Sequence, residues 1–487
     1  VRVEVEKGRI SMFEETFRMK HMLFLACATI LGGLGAIYHP FWGVLLYYTL
    51  AVLRPQYLWE WALPMELRWS LFASVIVFVS LLINAGRGFF RMRFHLMPCL
   101  ILFYCLLLMS SMLNAYFPQT AQHWGIEYGK IMLMALIASL IIDRLWQIRA
   151  MYAMVMVTIG YVAWEINYLY LVENRLDIYH HGYGGLDNNG AGLMLAMCIP
   201  FAYAFATNAK NWVVKLSCWF VAILMLHATM MSYSRGAMLS VIVGIIWLLI
   251  NHRPRIQAGL ILLLLVMLVP ALAGQEIRNR FLSTAEYHDD QSAQSRFDSW
   301  SAGWEIAMEN PFTGHGIRNS KFFIQNYGAD KVGRTIHSQY IQIAADSGVI
   351  AMLTYIAILA TAFWSLRKSR GYCYEYLNNF KPRGPDDEPD SLTVQTILLS
   401  RGCEAALLIF AFGAVFLSVE VVELPWLLMV LASVMPHITQ QHIARLSGSH
   451  AHESEDALVH AHKKIQNLDN PPISGPMPDL IRGLITP

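Results

Sequence analysis

Residues 187–250 read DNNGAGLMLAMCIPFAYAFATNAKNWVVKLSCWFVAILMLHATMMSYSRGAMLSVIVGIIWLLI. Three apolar runs, 189–207, 212–230 and 236–251, follow one another with only short polar breaks. At 1.5 Å of rise per residue, a helix of about 20 apolar residues crosses the hydrocarbon core of a bilayer. The pattern predicts consecutive membrane-spanning helices rather than a soluble core. It repeats on both sides, with candidate spans at 22–38, 41–53, 69–84, 95–113, 127–142, 149–171, 257–273, 347–366, 397–418 and 425–441.

Composition agrees. Of 487 residues, 56% are hydrophobic and 14% charged, where a soluble chain carries about 25% charge. No small-residue cleavage site followed by a soluble domain comes after the first apolar run, so a cleavable signal peptide is not expected. The net charge of +2 gives no footing for a nucleic-acid partner. None of the seven cysteines falls between Gly274 and Asp346, which excludes a disulfide framework or thiolate metal site there.

Lys and Arg are distributed unevenly over the connections. One set of loops, around Arg87–Arg93, Arg144–Arg149, Lys210–Lys215, Arg253–Arg255 and Arg367–Arg383, holds 14 of them. The alternate set holds four: Arg54, Arg68, Arg175 and Arg235. Basic loops stay on the cytoplasmic side, so the alternate set faces outward, and so does the one long polar loop, 274–346. Arg18 and Lys20 fit this alternation only if one of the first two apolar segments is interfacial or half-spanning. That gives about twelve full spans, with thirteen as the alternative. The expected architecture is an all-α polytopic bundle. Its parts are an N-terminal membrane portion (1–273), an external loop with short amphipathic helices (274–346), C-terminal spans (347–445) and a cytoplasmic, partly disordered tail (446–487). The tail histidines 450, 452, 460 and 462 sit among Pro, Asp and Ser, as in a solvated segment. No internal repeat of the kind that marks many transporters is visible.

Four polar motifs fall on the outward side. In the long loop, Phe297, Trp300, Trp304 and Ala307 recur at helical spacing, predicting an amphipathic helix at the membrane surface with Arg296 near its start; a solvated charge is the plain alternative for Arg296. Ser234 and Arg235 sit in MMSYSRGAML, a near-absent turn between two spans. Arg235 either snorkels to headgroups or holds a phosphate bidentately. His337 and Ser338 open HSQYIQIAADSG; the imidazole caps a helix or serves as a base near neutral pH. Asp187, Asn188 and Asn189 precede a span, as an N-cap or as contacts to a polar ligand. Together, two guanidiniums to stabilise a departing pyrophosphate and one imidazole to take a proton suit transfer from a lipid-pyrophosphate donor. Glu165 lies inside a span and should face protein or water. Glu420 and Glu423 are candidate partners of Arg235 or Arg296. Asp289-Asp290 and His180-His181 are too sparse to indicate a metal site.

These motifs resemble the O-antigen ligase and polymerase superfamily of bacterial envelope glycosyltransferases. The likeness rests on SRGA at 234–237, on Arg296 followed by the run ending NPFTGHG at 316, and on HSQYIQIAADSG at 337–348. DNNGAGLMLAMCIPFAYA and YHPFWGVLLYYTLAVLRPQYLWEWALP look like the subgroup often found with exosortase systems and described as O-glycosylation ligases. The resemblance covers roughly residues 35–440. It implies a multi-pass protein of the bacterial inner membrane with its site facing the periplasm. It also implies an undecaprenyl-pyrophosphate-linked glycan donor and an acceptor glycan, lipid or protein. Transfer would be inverting and metal-independent, with no cofactor. By this likeness Arg235 and Arg296 contact the pyrophosphate and His337 is the base; Ser234, Asn188, Asn189 and Ser338 are further residues expected to bind the substrate. Where the family usually has Asn after the histidine and Glu before the later glycine, this chain has Ser338 and Asp346. Two other readings are a transporter that flips the lipid-linked glycan and a structural subunit of an export machine.

Overall fold

The computed structural model describes residues 2–60, 63, 67–85, 97–251, 291–328, 333, 335–380, 382, 388–419 and 421–465. Among these the regular structure is all helical, without a strand. In order the helices are α1 (Arg2–Tyr38), α2 (Pro40–Leu53), α3 (Pro55–Leu58), α4 (Trp69–Ile83), α5 (Met97–Asn114), α6 (Pro118–Ile141), α7 (Leu145–Glu173), α8 (Asp177–His181), α9 (Asn188–Asn208), α10 (Trp212–Met231), α11 (Arg235–Ile250), α12 (Gln291–Glu309), α13 (Gln339–Ser347), α14 (Val349–Asn379), α15 (Ser391–Gly413) and α16 (Glu423–Ile465). Seven are long and apolar enough to cross a membrane: the Lys20–Tyr38 part of α1, α6, α7, α9, α10, α14 and α15. Trp69–Ile83, Pro98–Asn114 and Arg235–Ile250 are shorter apolar helices. The expected span 257–273 and Asp289-Asp290 lie outside the described residues.

The bundle has a centre and a rim. α9 and α15 are the most enclosed spans, and they cross where Pro200 interrupts α9. A Cβ at Gly402 would stand 3.0 Å from the Pro200 carbonyl oxygen, so glycine is what lets the backbones approach. At the rim, Leu31, Leu82, Leu216 and Trp364 project outward from α1, α4, α10 and α14. Apolar side chains facing out at this density suit hydrocarbon and not water.

α2 is the shorter of the first two apolar segments. Its 14 residues make a rod of about 21 Å, short of the roughly 30 Å hydrocarbon core. Eleven of them are buried, so α2 is a half-length helix inside the bundle and not an interfacial one. Pro40 begins it, His39 Nδ1 accepts from Phe41 N at 3.1 Å, and Arg54 ends it in the left-handed region. At the other terminus α16 continues to Ile465, past position 446 where the tail was drawn. The side chains of the four tail histidines lie outside what is described.

Candidate active site

The site is assembled at the end of the bundle where α9, α11 and α13 begin. Asp187 caps α9, its Oδ1 accepting from Gly190 N at 2.8 Å. Asn188 then donates from Nδ2 to the Ser232 carbonyl at 2.8 Å, fastening this helix start to the α10–α11 turn. That turn is made by Tyr233 at φ 54°, after which Ser234 caps α11 through Ala237 N at 3.3 Å. Arg235 is therefore the first residue of α11, beside the positive end of its dipole.

The loop residues 291–348 fold over this end. One face of α12, with Ala302, Ile306 and Ala307, packs with Ile324, Ile336, Ala344 and Ala345 into a small core of its own. The stripe expected to carry Phe297, Trp300, Trp304 and Ala307 is divided. Ala307 is buried and Trp300 packs on the small core, whereas Phe297, Trp304 and Met308 stay exposed on a second apolar face. Asp346 and Gln342 rivet α13 to the segment that follows α12. Asp346 accepts from Ser320 N at 3.0 Å and from Gln342 Nε2 at 2.7 Å, and its carbonyl accepts from Gly316 N at 2.8 Å. Burial holds the Asp346 carboxyl above its ordinary range, against the hydrogen bonds from Ser320 and Gln342 that pull it down. The neighbouring Gly348, at φ 92°, passes so near Phe312 that a Cβ would lie 2.5 Å from its carbonyl oxygen.

His337 stands at the top of this scaffold at φ 55°. Its carbonyl accepts from Trp300 Nε1 at 3.2 Å, and Trp300 lies one helical turn beyond Arg296 on α12. Next to it, Gln339 N donates to the Ala414 carbonyl at 2.8 Å, and Gln339 Oε1 accepts from Val419 N at 2.8 Å. These bonds draw the α15–α16 connection against the histidine.

Two cavities result. The smaller, about 360 Å³, is lined by Tyr179, His180, Asn188, Asn189, Tyr233, Arg235 and Arg296. Both guanidiniums and two helix starts face it, an arrangement that favours an anion. The larger, about 1040 Å³, contains His337, Arg318, Trp124, His123, Arg54, Arg68, Glu127, Lys130, Asp187 and Glu423 on its polar wall. The Arg318 guanidinium stacks on Trp124 at 4.9 Å. The start of α9 contributes to both, Asp187 lining the larger and Asn188 the smaller. Four of the five non-glycine residues with positive φ among those described, Arg54, Tyr233, Arg318 and His337, line these two cavities. Each such residue costs about 1–3 kcal/mol, so the surrounding packing must hold it in place.

The outward motifs therefore converge, though not into one chamber. Arg235, Arg296, Asn188 and Asn189 share the small cavity, and His337 lines the large one. Ser234 and Ser338, expected among the binding residues, line neither: both are buried, Ser234 as a cap and Ser338 through its carbonyl to Gln342 N. Glu423 pairs with Arg54 at 2.9 Å and not with Arg235 or Arg296; Glu420 lies outside the described residues. From sequence, His180 was weighed only as half of a sparse metal pair, and Arg54, Arg318 and Trp124 were not singled out as site residues. Nor was Glu404, buried in α15 and bound by Arg370 at 2.9 Å and Arg367 at 3.2 Å.

Comparison with known families bears on this geometry. Residues 220–356 match the family model described as O-Antigen ligase, a segment that contains Arg235, Arg296 and His337. Residues 19–167 match a family of unknown function (DUF5935). Neither description names the exosortase-associated subgroup. No curated protein matches the chain. The segment that carries both arginines and the histidine is thus the one the ligase model covers, and this match supports a general activity of glycosyl transfer of ligase or polymerase type.

Proposed function

We propose that the protein transfers a glycan from an undecaprenyl-pyrophosphate donor to an acceptor hydroxyl on the periplasmic side of the inner membrane. One observation carries the reading: Arg235 and Arg296, far apart in sequence, face one small polar cavity, and Trp300 ties the helix bearing Arg296 to His337. The pyrophosphate lies in the small cavity, where the arginines and the starts of α9 and α11 stabilise its growing charge. The acceptor hydroxyl enters the large cavity, and a neutral His337 ring nitrogen takes its proton. The acceptor oxygen then bonds to the anomeric carbon from the face opposite the pyrophosphate. The carbon–oxygen bond to phosphate breaks with its electron pair staying on the pyrophosphate, so configuration inverts. These residues act without a metal in this scheme. The uneven Lys and Arg distribution supports the periplasmic assignment.

Purified protein in vesicles with a defined undecaprenyl-pyrophosphate glycan tests this. A lysine keeps the charge but not the two-pronged contact, a difference of about 1.5–3 kcal/mol. Arg235→Lys and Arg296→Lys should each lower kcat/KM about 10- to 100-fold with membrane expression intact. Ordinary transfer by both variants would dismiss the pyrophosphate assignment.

A further inference from the structure

The larger cavity is not a closed polar bowl. Its lining draws on α4 and α6, together with Tyr47 and Leu50 of α2. Leu71 and Phe78 of α4 and Leu133 of α6 line it, yet they are 53%, 40% and 46% exposed. Side chains that line a cavity and also face outward mark a slot open to the bilayer. On its polar wall Arg68, just before α4, reaches Glu127 of α6 at 2.7 Å, and Lys130 meets the same carboxylate at 2.8 Å. Two cations on one carboxylate leave this group with a net positive charge. An apolar slot in a cavity with such a cationic group matches an amphiphile with an anionic head.

We infer that this slot admits the acceptor, and that the acceptor is membrane-borne: a glycan carried on a lipid phosphate. The step rests on the proposed function in one respect. His337 lines this cavity and not the smaller one, so the hydroxyl it deprotonates arrives here. A soluble protein acceptor would have no use for the apolar part. Every side chain of the slot's two walls, from Arg68 to Met134, belongs to the segment matched only to a family of unknown function. The inference gives that segment a task, holding the acceptor's lipid while the ligase segment holds the donor's pyrophosphate.

Photo-crosslinking of the full chain in nanodiscs tests this without requiring transfer. p-Benzoylphenylalanine replaces Leu133, Phe78 or, as a control on the exposed face of α10, Val213. The probe is radiolabelled farnesyl phosphate. Labelling at 133 and 78 should exceed that at 213 about tenfold, fall by a similar factor in Arg68→Gln/Lys130→Gln, and resist competition by farnesol. Equal labelling at all three positions, or labelling indifferent to the phosphate, overturns the slot. A second arm separates acceptor from donor lipid. If the slot instead held the donor, Arg235→Lys/Arg296→Lys would weaken labelling; the inference expects no change, and a fall sinks it. Failure of glycan transfer with slot labelling intact would count against the proposed function and not against the slot.

Discussion

Trp300→Phe isolates the coupling between the two cavities. The change removes one donor, Nε1–H to the His337 carbonyl at 3.2 Å. It keeps an aromatic ring against Phe297 and Phe416, whose centroids lie 5.4 and 5.8 Å away. A neutral hydrogen bond of this kind contributes about 0.5–1.5 kcal/mol net. It also opposes the tendency of His337 to leave its positive φ, a preference of about 1–3 kcal/mol. With the bond gone, the histidine should spend most of its time out of position, and kcat should fall about 10-fold. Donor KM should hold, because Arg296 lies a turn away and keeps its backbone. Single-turnover transfer over a range of donor concentrations, with thermal unfolding followed on the same sample, reads both quantities. Unchanged kcat with a lowered unfolding midpoint would mean the bond is structural only. A raised donor KM with unchanged kcat would mean that Trp300 serves Arg296 and not His337.

Other expectations concern the scaffold. Gly348→Ala puts a methyl 2.5 Å from the Phe312 carbonyl at a φ of 92°, and should cost about 3 kcal/mol; a wild-type unfolding midpoint in detergent would refute this close approach. Burial alone would raise the Asp390 carboxyl, but hydrogen bonds from His442 and from Thr393 outweigh it and hold the group below its ordinary value of 3.8. A depressed carboxyl stabilises the folded state above its unfolded pKa and loses that contribution as pH falls through the folded one. The midpoint difference between wild type and Asp390→Asn should therefore be constant above about pH 5 and shrink below about pH 3. A difference that grew on acidification would show the sign to be wrong. Glu423→Gln leaves Arg54 without its 2.9 Å carboxylate partner at the wall of the large cavity. It should lower the unfolding midpoint by more than Glu173→Gln, whose 3.3 Å pair with Arg175 is exposed; equal effects would mean that the Arg54 pair is as weak as a surface one.

The spans were legible because hydropathy alone marks a helix that must satisfy its own backbone in lipid. α9, α10 and α11 fall close to 189–207, 212–230 and 236–251. α6 departs further: it begins at Pro118, ahead of 127, because the turns that carry His123, Trp124 and Glu127 are too polar to read as membrane. α2 was ambiguous for another reason, since a largely buried half-length helix is as apolar as a short span. The polar motifs were legible in part: alternation of basic loops placed Asn188, Arg235, Arg296 and His337 at one end, and the structure gathers them there. What escaped is what only tertiary contact creates. Arg54 and Glu423 are 369 residues apart, and no spacing rule joins them. The positive φ of His337, Arg318 and Tyr233 left no trace, because glycine, the usual marker, is absent from those positions. Ser234 and Ser338 read as binding residues for their chemistry, yet they serve the backbone.

Single-turnover transfer by His337→Ala, with donor affinity measured on the same sample, tests the central claim most directly. The account predicts a Kd for the undecaprenyl-pyrophosphate glycan within about twofold of wild type, because Arg235 and Arg296 are untouched, and a rate of glycan transfer lower by about 10²–10⁴. Transfer at the wild-type rate by this variant would contradict it.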